Sequence, residues 1–213
     1  MGRRKQEPRS VHRETITTAA SALFEKKGIT ATSMDEIAKA AGYSKTTLYV
    51  YFENKEEIIG ILALKSMRKL DDALSFALEY QEDTRAKYDF ICRSLVQYQE
   101  RFPFYFQMVL DKLTFSLDNQ DCPAEEKETY QVGEAINQKL TAFLKDGIEK
   151  GDLRQEINDI PTIFSIWGML SGLIQLAANK ETYIKHAMGL EKDQFLRHGF
   201  DMLYRSMVNR EDE

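Results

Sequence analysis

Residues 42–57 decide the fold of this chain and read Gly42-Tyr43-Ser44-Lys45-Thr46-Thr47-Leu48-Tyr49-Val50-Tyr51-Phe52-Glu53-Asn54-Lys55-Glu56-Glu57. Glycine permits the left-handed backbone that ends a helix, and serine or asparagine accepts hydrogen bonds from the first free amides of the next one. In this stretch the glycine comes first, the serine follows two positions later, and the asparagine comes after a short apolar segment. This order predicts a helix that ends at a tight corner, followed by two further helices.

The residues on either side of the corner support that interpretation. Ser33 and Glu36 have the spacing of a capping box, and residues 34, 37, 38 and 41 form one apolar helical face. After the corner, Leu48 and Phe52 are four apart and are predicted to face inward. The sequence therefore predicts two short helices joined at a glycine, the pattern of a helix-turn-helix.

Four side chains are left on the outward face of the second short helix: Lys45, Thr46, Tyr49 and Val50. A major groove offers hydrogen-bond partners on the base edges and the methyl group of thymine, which suit these side chains. Asn54 and Glu57 form a further capping pair, so Lys55 and the free amides beside it are predicted to hold a phosphate. Each residue alone fits a core aromatic or a solvated charge, and the prediction depends on the set.

Residues 10–60 resemble the DNA-binding domain of the TetR family of bacterial transcriptional regulators. The resemblance is carried by the following residues: Gly28, Ser33, Ile37, Ala38, Ala41, Gly42, Ser44, Thr47, Leu48, Tyr49, Tyr51, Phe52, Asn54, Lys55 and Glu56. It implies base contacts from Lys45, Thr46, Tyr49 and Val50. It implies phosphate contacts from Ser33, Thr47, Tyr51 and Lys55. Thr46 departs from the family pattern, in which glycine is common, and Tyr43 replaces a commoner aliphatic residue.

Charge is distributed unevenly along the 213 residues. Residues 1–55 carry a net charge of +4 and residues 56–213 a net charge of −9, which together give the −5 of the whole chain. We therefore predict a DNA-binding domain over 1–55 and a larger domain over 56–213. Five basic residues near the amino terminus form either a flexible basic arm that follows DNA phosphates or a solubilising tail: Arg3, Arg4, Lys5, Arg9 and Arg13.

The sequence indicates neither an enzyme nor a cofactor. Cys92 and Cys122 show no disulfide or zinc pattern, and the three histidines lack the spacing of a metal site. No phosphate-binding loop or dinucleotide fingerprint occurs, and the Ser-x-x-Lys at residues 66–69 lacks its companion motifs. No apolar run follows the first arginines as it would in a secretory signal. We expect a cytoplasmic protein without a bound metal or cofactor.

Helical spacing continues beyond the first domain, so an all-α fold is predicted. It comprises a three-helix helix-turn-helix domain and a carboxyl-terminal helical bundle. The predicted helices cover residues 10–27, 33–41, 44–51, 54–81, 84–101, 103–117, 123–150, 161–179 and 190–208. Residues 160–179 carry no charge and are long enough to span a membrane, but Pro161 and several polar residues favour burial in protein.

The carboxyl-terminal domain is predicted to dimerise and to bind a ligand. Gly168 and Gly172 form a smooth strip beside Trp167, and the resemblance implies that this helix and the one with Phe195 and Leu203 pair with a second copy. The resemblance also implies a pocket for a small molecule, for which Tyr98, Phe106 and Trp167 are the candidate lining residues. Ordinary core packing is the alternative for these aromatics.

These observations predict a homodimeric regulator that binds a palindromic operator in double-stranded DNA. The default for the resembling family is a repressor that a small-molecule effector releases. The alternative is a DNA-bound adaptor of the same fold that recruits a protein partner and has no small-molecule inducer.

Overall fold

The computed structural model describes residues 8–79, 83–111, 123–157 and 160–209, and its regular structure there is helical. This confirms the predicted all-α fold. The basic residues Arg3, Arg4 and Lys5, and also Cys122, lie outside the described residues. The helices are α1 (Arg9–Lys27), α2 (Met34–Ala41), α3 (Lys45–Tyr51), α4 (Lys55–Glu79), α5 (Thr84–Arg101), α6 (Pro103–Asp111), α7 (Ala124–Glu149), α8 (Ile160–Asn179), α9 (Glu181–Met188) and α10 (Lys192–Arg205), with a short 3₁₀ helix at Gln155–Ile157.

One helix was not among the nine predicted. Helix α9 has only eight residues, follows α8 directly, and ends at Gly189, whose φ of +67° lies in the left-handed region. Its single buried residue is Ile184. Its apolar residues do have helical spacing, but eight residues are fewer than the roughly 11 to 18 over which such a pattern is recognised, so the sequence pattern did not reveal this helix.

The described residues form two compact units. The first unit lies within residues 1–66 and 107–129 and contains α1, α2, α3 and the beginning of α4. Its core is made by fully buried apolar side chains, among them Ile16, Phe24, Ile37, Leu48 and Ile58. The inward placement predicted for Leu48 is confirmed, and so is that of Phe52, which is also buried. The predicted domain boundary after residue 55 stays a prediction.

The second unit lies within residues 67–106 and 130–213. Helices α5, α8 and α10 pack against one another there, and the Tyr88 hydroxyl of α5 donates to the Phe200 carbonyl of α10 at 2.8 Å. After α7, the chain is tied to the end of α10 by the Arg154 amide, which donates to the Met207 carbonyl at 3.0 Å. The segment that follows α7 is thereby held against the segment that follows α10.

Two glycines of α7 give a matched test of packing in the second unit. A Cβ atom at Gly147 would lie 2.6 Å from Leu153 Cδ1 and 2.9 Å from Thr84 Cγ2, both on buried side chains, whereas one at Gly133 would lie 3.5 Å from Met67 Cε. Alanine adds about 1 kcal/mol of helix propensity at both sites, but overpacking costs about 1–3 kcal/mol. We expect Gly147→Ala to be less stable than Gly133→Ala by about 1–3 kcal/mol in urea unfolding. Equal unfolding midpoints would show that Leu153 moves aside freely.

Candidate nucleic-acid interface

The corner between α2 and α3 is built by local hydrogen bonds. The Ser33 hydroxyl accepts from the Glu36 amide, and the Glu36 carboxylate accepts from the Ser33 amide at 2.9 Å, which is the predicted capping box. Gly42 follows α2 with a φ of +76°, a conformation that glycine adopts without a steric penalty. The Tyr43 amide donates back to the Ala38 carbonyl at 2.9 Å. Helix α2 therefore ends at a glycine corner, as predicted.

Helix α3 begins at once after this corner. The Ser44 hydroxyl accepts from the Thr47 amide at 3.0 Å and also hydrogen-bonds the Thr47 hydroxyl at 2.8 Å. The helix then buries Leu48, and its opposite face is open to solvent. Tyr49 is 46% exposed and Val50 is 63% exposed. Exposed large apolar side chains on a well-capped helix are typical of a binding surface.

The remaining predicted base-contacting residues lie at the start of the same helix. Lys45 and Thr46 are both exposed. The Lys45 ammonium lies 2.7 Å from the Asp35 carboxylate of α2, and this hydrogen bond raises the pKa of Lys45. Exposed ion pairs of this kind are weak and are screened by salt. Lys45 is therefore able to exchange Asp35 for a partner on DNA.

Lys55 has two protein partners that its sequence position did not reveal. Its ammonium donates to the Ile29 carbonyl at 2.9 Å and to the Thr32 carbonyl at 3.0 Å. Two of its three N–H groups thus hold the turn between α1 and α2. A phosphate at this position would share the ammonium with those carbonyls, and the predicted phosphate contact stays a prediction.

The predicted phosphate-contacting hydroxyls also have partners within the protein. The Ser33 hydroxyl lies 2.8 Å from Glu36 Oε2, and the Thr47 hydroxyl hydrogen-bonds Ser44. The Tyr51 ring is half-buried and lies 5.0 Å from the His12 ring, centroid to centroid. The DNA contacts of these three residues stay predictions.

Arg9 and Arg13 belong to α1 and not to the predicted flexible arm, and with His12 they hold α3 and the turn before it, which the sequence did not predict. Arg9 donates to the Val50 carbonyl at 3.1 Å, Arg13 donates to the Tyr51 carbonyl at 2.7 Å, and His12 Nδ1 lies 2.7 Å from the Tyr43 hydroxyl. Positions 9, 12 and 13 lie on one face of a helix. That spacing was the available signal, but it does not identify partners about 30 to 40 residues away.

In the second unit, a cavity of about 50 Å³ has a wall of apolar side chains. Trp167 belongs to this wall, whereas Tyr98 and Phe106 do not, and the ligand contacts of all three stay predictions. These two aromatics are buried, with their ring centroids 5.9 Å apart, and Phe106 packs 6.2 Å from Trp167. The wall residues are Leu74, Tyr88, Ile91, Leu95, Leu140, Phe143, Leu144, Ile163, Ile166, Trp167, Leu170 and Met207.

The predicted dimer-interface residues lie on α8 and α10. Gly168 and Gly172 are exposed on α8, and Phe195 and Leu203 are half-buried on α10. Helix α8 also exposes Phe164, which is 59% accessible. By length and composition α8 would be able to cross a membrane. Of its most apolar 18-residue stretch, 28% is buried within the chain.

An all-α chain with a capped helix-turn-helix and an exposed second helix belongs to the class of helix-turn-helix DNA-binding proteins. Residues 16–60 match the family model described as bacterial regulatory proteins, tetR family. Residues 16–60 therefore form a DNA-binding domain of the TetR family, and the chain is similar to helix-turn-helix transcriptional regulators of that family.

Individual relatives agree with this assignment. The chain is 26% identical over 144 residues to YhgD, an HTH-type transcriptional regulator of Bacillus subtilis. This match covers 65% of this chain and 68% of YhgD. It is 36% identical over 84 residues to the regulator EthR of Mycobacterium tuberculosis, and this match covers 39% of each chain. The crystal structure of the TetR family regulator PfmR of Thermus thermophilus superposes with a TM-score of 0.65 and 24% identity, covering 89% of this chain and 97% of PfmR. This structural likeness supports the fold alone.

The capping box makes a prediction about acid titration. Hydrogen bonds from Lys27, and then from the Ser33 amide and hydroxyl, lower the pKa of Glu36 from 4.5 to about 2. Because the pKa is depressed in the folded state, the stabilisation is complete above pH 4.5 and is lost as pH falls towards 2. We expect an NMR titration of the Glu36 side-chain carboxyl to have its midpoint near pH 2. In Lys27→Met the midpoint should lie at a higher pH, because the hydrogen bond from Lys27 is lost. A midpoint near 4.5 in the unmodified protein would contradict the capping box.

Proposed function

We propose that this chain is a cytoplasmic transcriptional repressor that binds a palindromic operator as a homodimer and is released by a small-molecule effector. The observation that carries the proposal is the outward face of α3, with exposed Tyr49 and Val50 beside exposed Lys45 and Thr46. These side chains present a phenol, methyl groups, a cation and a hydroxyl. All four match groups on the major-groove edges of base pairs.

A two-fold dimer places constraints on the operator. Two identical helix-turn-helix domains read successive major grooves only when their half-sites lie about 34 Å apart or a multiple of that distance. The operator would then repeat its sequence with the protein's two-fold symmetry. Ser33, Thr47, Tyr51 and Lys55 would contact phosphates at each half-site and set the register of α3 without reading sequence.

The first test is Tyr49→Ala in fluorescence-anisotropy titrations against genomic fragments selected by the protein and against scrambled duplexes. Loss of a base contact costs about 1–3 kcal/mol, roughly 5- to 150-fold in affinity, and relaxes specificity at one base position. Tyr183→Ala is the matched control, because Tyr183 is also exposed but lies on α9 in the second unit. Equal affinities of the two variants for the selected sequence would count against α3 as the reading helix.

The exposed face of α8 supports the proposal of a homodimer. It presents Phe164, Met169 and Leu176 to solvent, and a large apolar patch on a soluble chain is normally covered by a partner. A Cβ atom at Gly168 or Gly172 would meet no atom within 4 Å, so the surface between them is smooth enough for close approach of another helix. A second copy of α8, with Phe195 and Leu203 of α10 beside it, would cover this face in an isologous interface.

A size series at Gly172 tests this interface. Since nothing within the chain lies near a Cβ atom at this position, alanine and leucine should both be tolerated by the subunit itself and should favour the helix. We expect Gly172→Ala to dimerise nearly normally and Gly172→Leu to weaken dimerisation about tenfold or more, through overpacking of about 1–3 kcal/mol in each copy. Analytical ultracentrifugation measures this, with circular dichroism as the folding control. A dimer unaffected by leucine would place the interface elsewhere.

The apolar cavity of the second unit bears on the choice between an effector and the adaptor alternative. Its wall around Trp167 has the apolar character of a small-molecule site, but its volume of about 50 Å³ is far below the roughly 300–1,000 Å³ of ligand pockets, so an effector would need the surrounding helices to move apart. An effector releases DNA only if it binds the DNA-incompetent state more tightly than the competent one. The effector therefore has to change the shape of the cavity or of the helices that form its wall.

A further inference from the structure

Arg13 occupies an unusual position in the first unit, because one guanidinium contacts the ends of three other helices. It lies on α1, half-buried, with its guanidinium carbon 4.4 Å from the centroid of the Phe52 ring. Nη1 donates to the Tyr51 carbonyl and to Glu57 Oε1, each at 2.7 Å. Nη2 lies 3.6 Å from Glu125 Oε1, in the first turn of α7. These contacts join α1 to the end of α3 and to the beginnings of α4 and α7.

The Tyr51 carbonyl is the group that most needs such a donor. The last four carbonyls of a helix have no partner within it, and they form the negative end of the helix dipole. Helix α3 has only seven residues, so these orphan groups make up about half of its backbone carbonyls. Arg9 donates to the Val50 carbonyl at 3.1 Å. Two cations of α1 therefore hold the last two residues of α3.

Glu57 makes the attachment at Arg13 more rigid. Its Oε1 accepts from Arg13, and its Oε2 accepts from the Glu53 amide at 2.9 Å. The Glu57 amide in turn donates to Asn54 Oδ1 at 2.9 Å. Arg13 is thus bonded to both sides of the short link between α3 and α4. Rotation of α3 about its own axis would break these charge-assisted bonds, which are roughly twice as strong as neutral ones.

We propose that Arg13 is a positioning residue for sequence recognition, which fixes the angle at which α3 presents Tyr49 and Val50 and does not itself bind DNA. This inference rests on the proposed DNA-reading role of α3. Both N–H groups of Nη1 are already donated, one to a carbonyl and one to a carboxylate, and the guanidinium lies over the Phe52 ring, so a DNA phosphate would find only Nε and Nη2, of which Nη2 faces Glu125. Lysine at this position would keep the charge, but its ammonium has neither the planar group that lies over the Phe52 ring nor a second nitrogen that faces Glu125.

Salt dependence separates positioning from phosphate contact. An arginine that binds a phosphate contributes about one unit to the slope of log affinity against log salt and acts on all sequences alike. We expect Arg13→Gln to lose about tenfold in affinity for the selected sequence, with a salt slope and a scrambled-duplex affinity matching those of Lys26→Gln. Lys26 is the control because it is exposed on the same helix and its loss changes the charge equally. A slope smaller by about one unit, with equal loss on both duplexes, would overturn the proposal.

Hydrogen exchange tests the same inference without DNA. We expect amides of residues 45–52 to exchange about tenfold faster in Arg13→Gln than in Lys26→Gln, while residues 16–24 of α1 keep their protection. Arg13→Lys, which retains the charge, should show an intermediate effect and serves if the glutamine variant unfolds. Unchanged exchange of residues 45–52 in both variants would refute positioning. If the unmodified protein selects no sequence, the proposed function fails, and the exchange result still decides the role of Arg13.

Discussion

The recognition face depends on one physical constraint, which is that α3 is too short to be stable by itself. A helix of seven residues has little cooperative hydrogen bonding to offset the cost of its nucleation. Its stability must come from its ends and from its buried side. The Ser44 cap serves the amino-terminal end, Leu48 serves the buried side, and Arg9 and Arg13 serve the carboxyl-terminal end. Because these supports lie behind and at the ends of α3, its outward face is left to Tyr49, Val50 and their neighbours.

The elements that the sequence predicted well are those with partners a few residues away. The caps at Ser33 and Ser44, the corner at Gly42 and the burial of Leu48 all depend on spacings of three or four residues, and such spacings can be recognised in a sequence. The partners of Lys55 and Arg13 lie about 25 to 45 residues away. Only the packing of α1 against the helix-turn-helix brings them together. The sequence therefore predicted the location of Lys55 correctly but not its attachment to the α1–α2 turn.

The second unit shows the same limit in another form. Apolar spacing predicted most of its helices, but it did not separate the wall of the cavity from the core. Tyr98, Phe106 and Trp167 have similar residue types and similar helical settings, yet only Trp167 belongs to the cavity wall. Whether an aromatic side chain lines a cavity depends on how three or more helices converge. Protein interiors are otherwise closely packed, so the position of a cavity becomes visible only in the folded chain. Helix α9 was missed for a different reason, since eight residues are too few for its apolar spacing to be recognised as a helix.

The electrostatics of the first unit bear on how it would discriminate among DNA sequences. Six of its described cations already contact a protein group: Lys27 contacts Glu36, Lys45 contacts Asp35, Lys55 contacts two carbonyls, Arg13 contacts Glu57, Arg9 contacts the Val50 carbonyl, and Lys65 contacts Glu14. Each such contact lowers the gain from a nearby phosphate, because the cation must share or exchange its partner. When phosphate contacts contribute less to the affinity for DNA, hydrogen bonds and apolar contacts to base edges contribute a larger share. These are the contacts that differ between sequences. Under the proposed DNA-binding role, the internal pairing of these cations would favour selectivity over general affinity, and recognition would then depend on the orientation of α3.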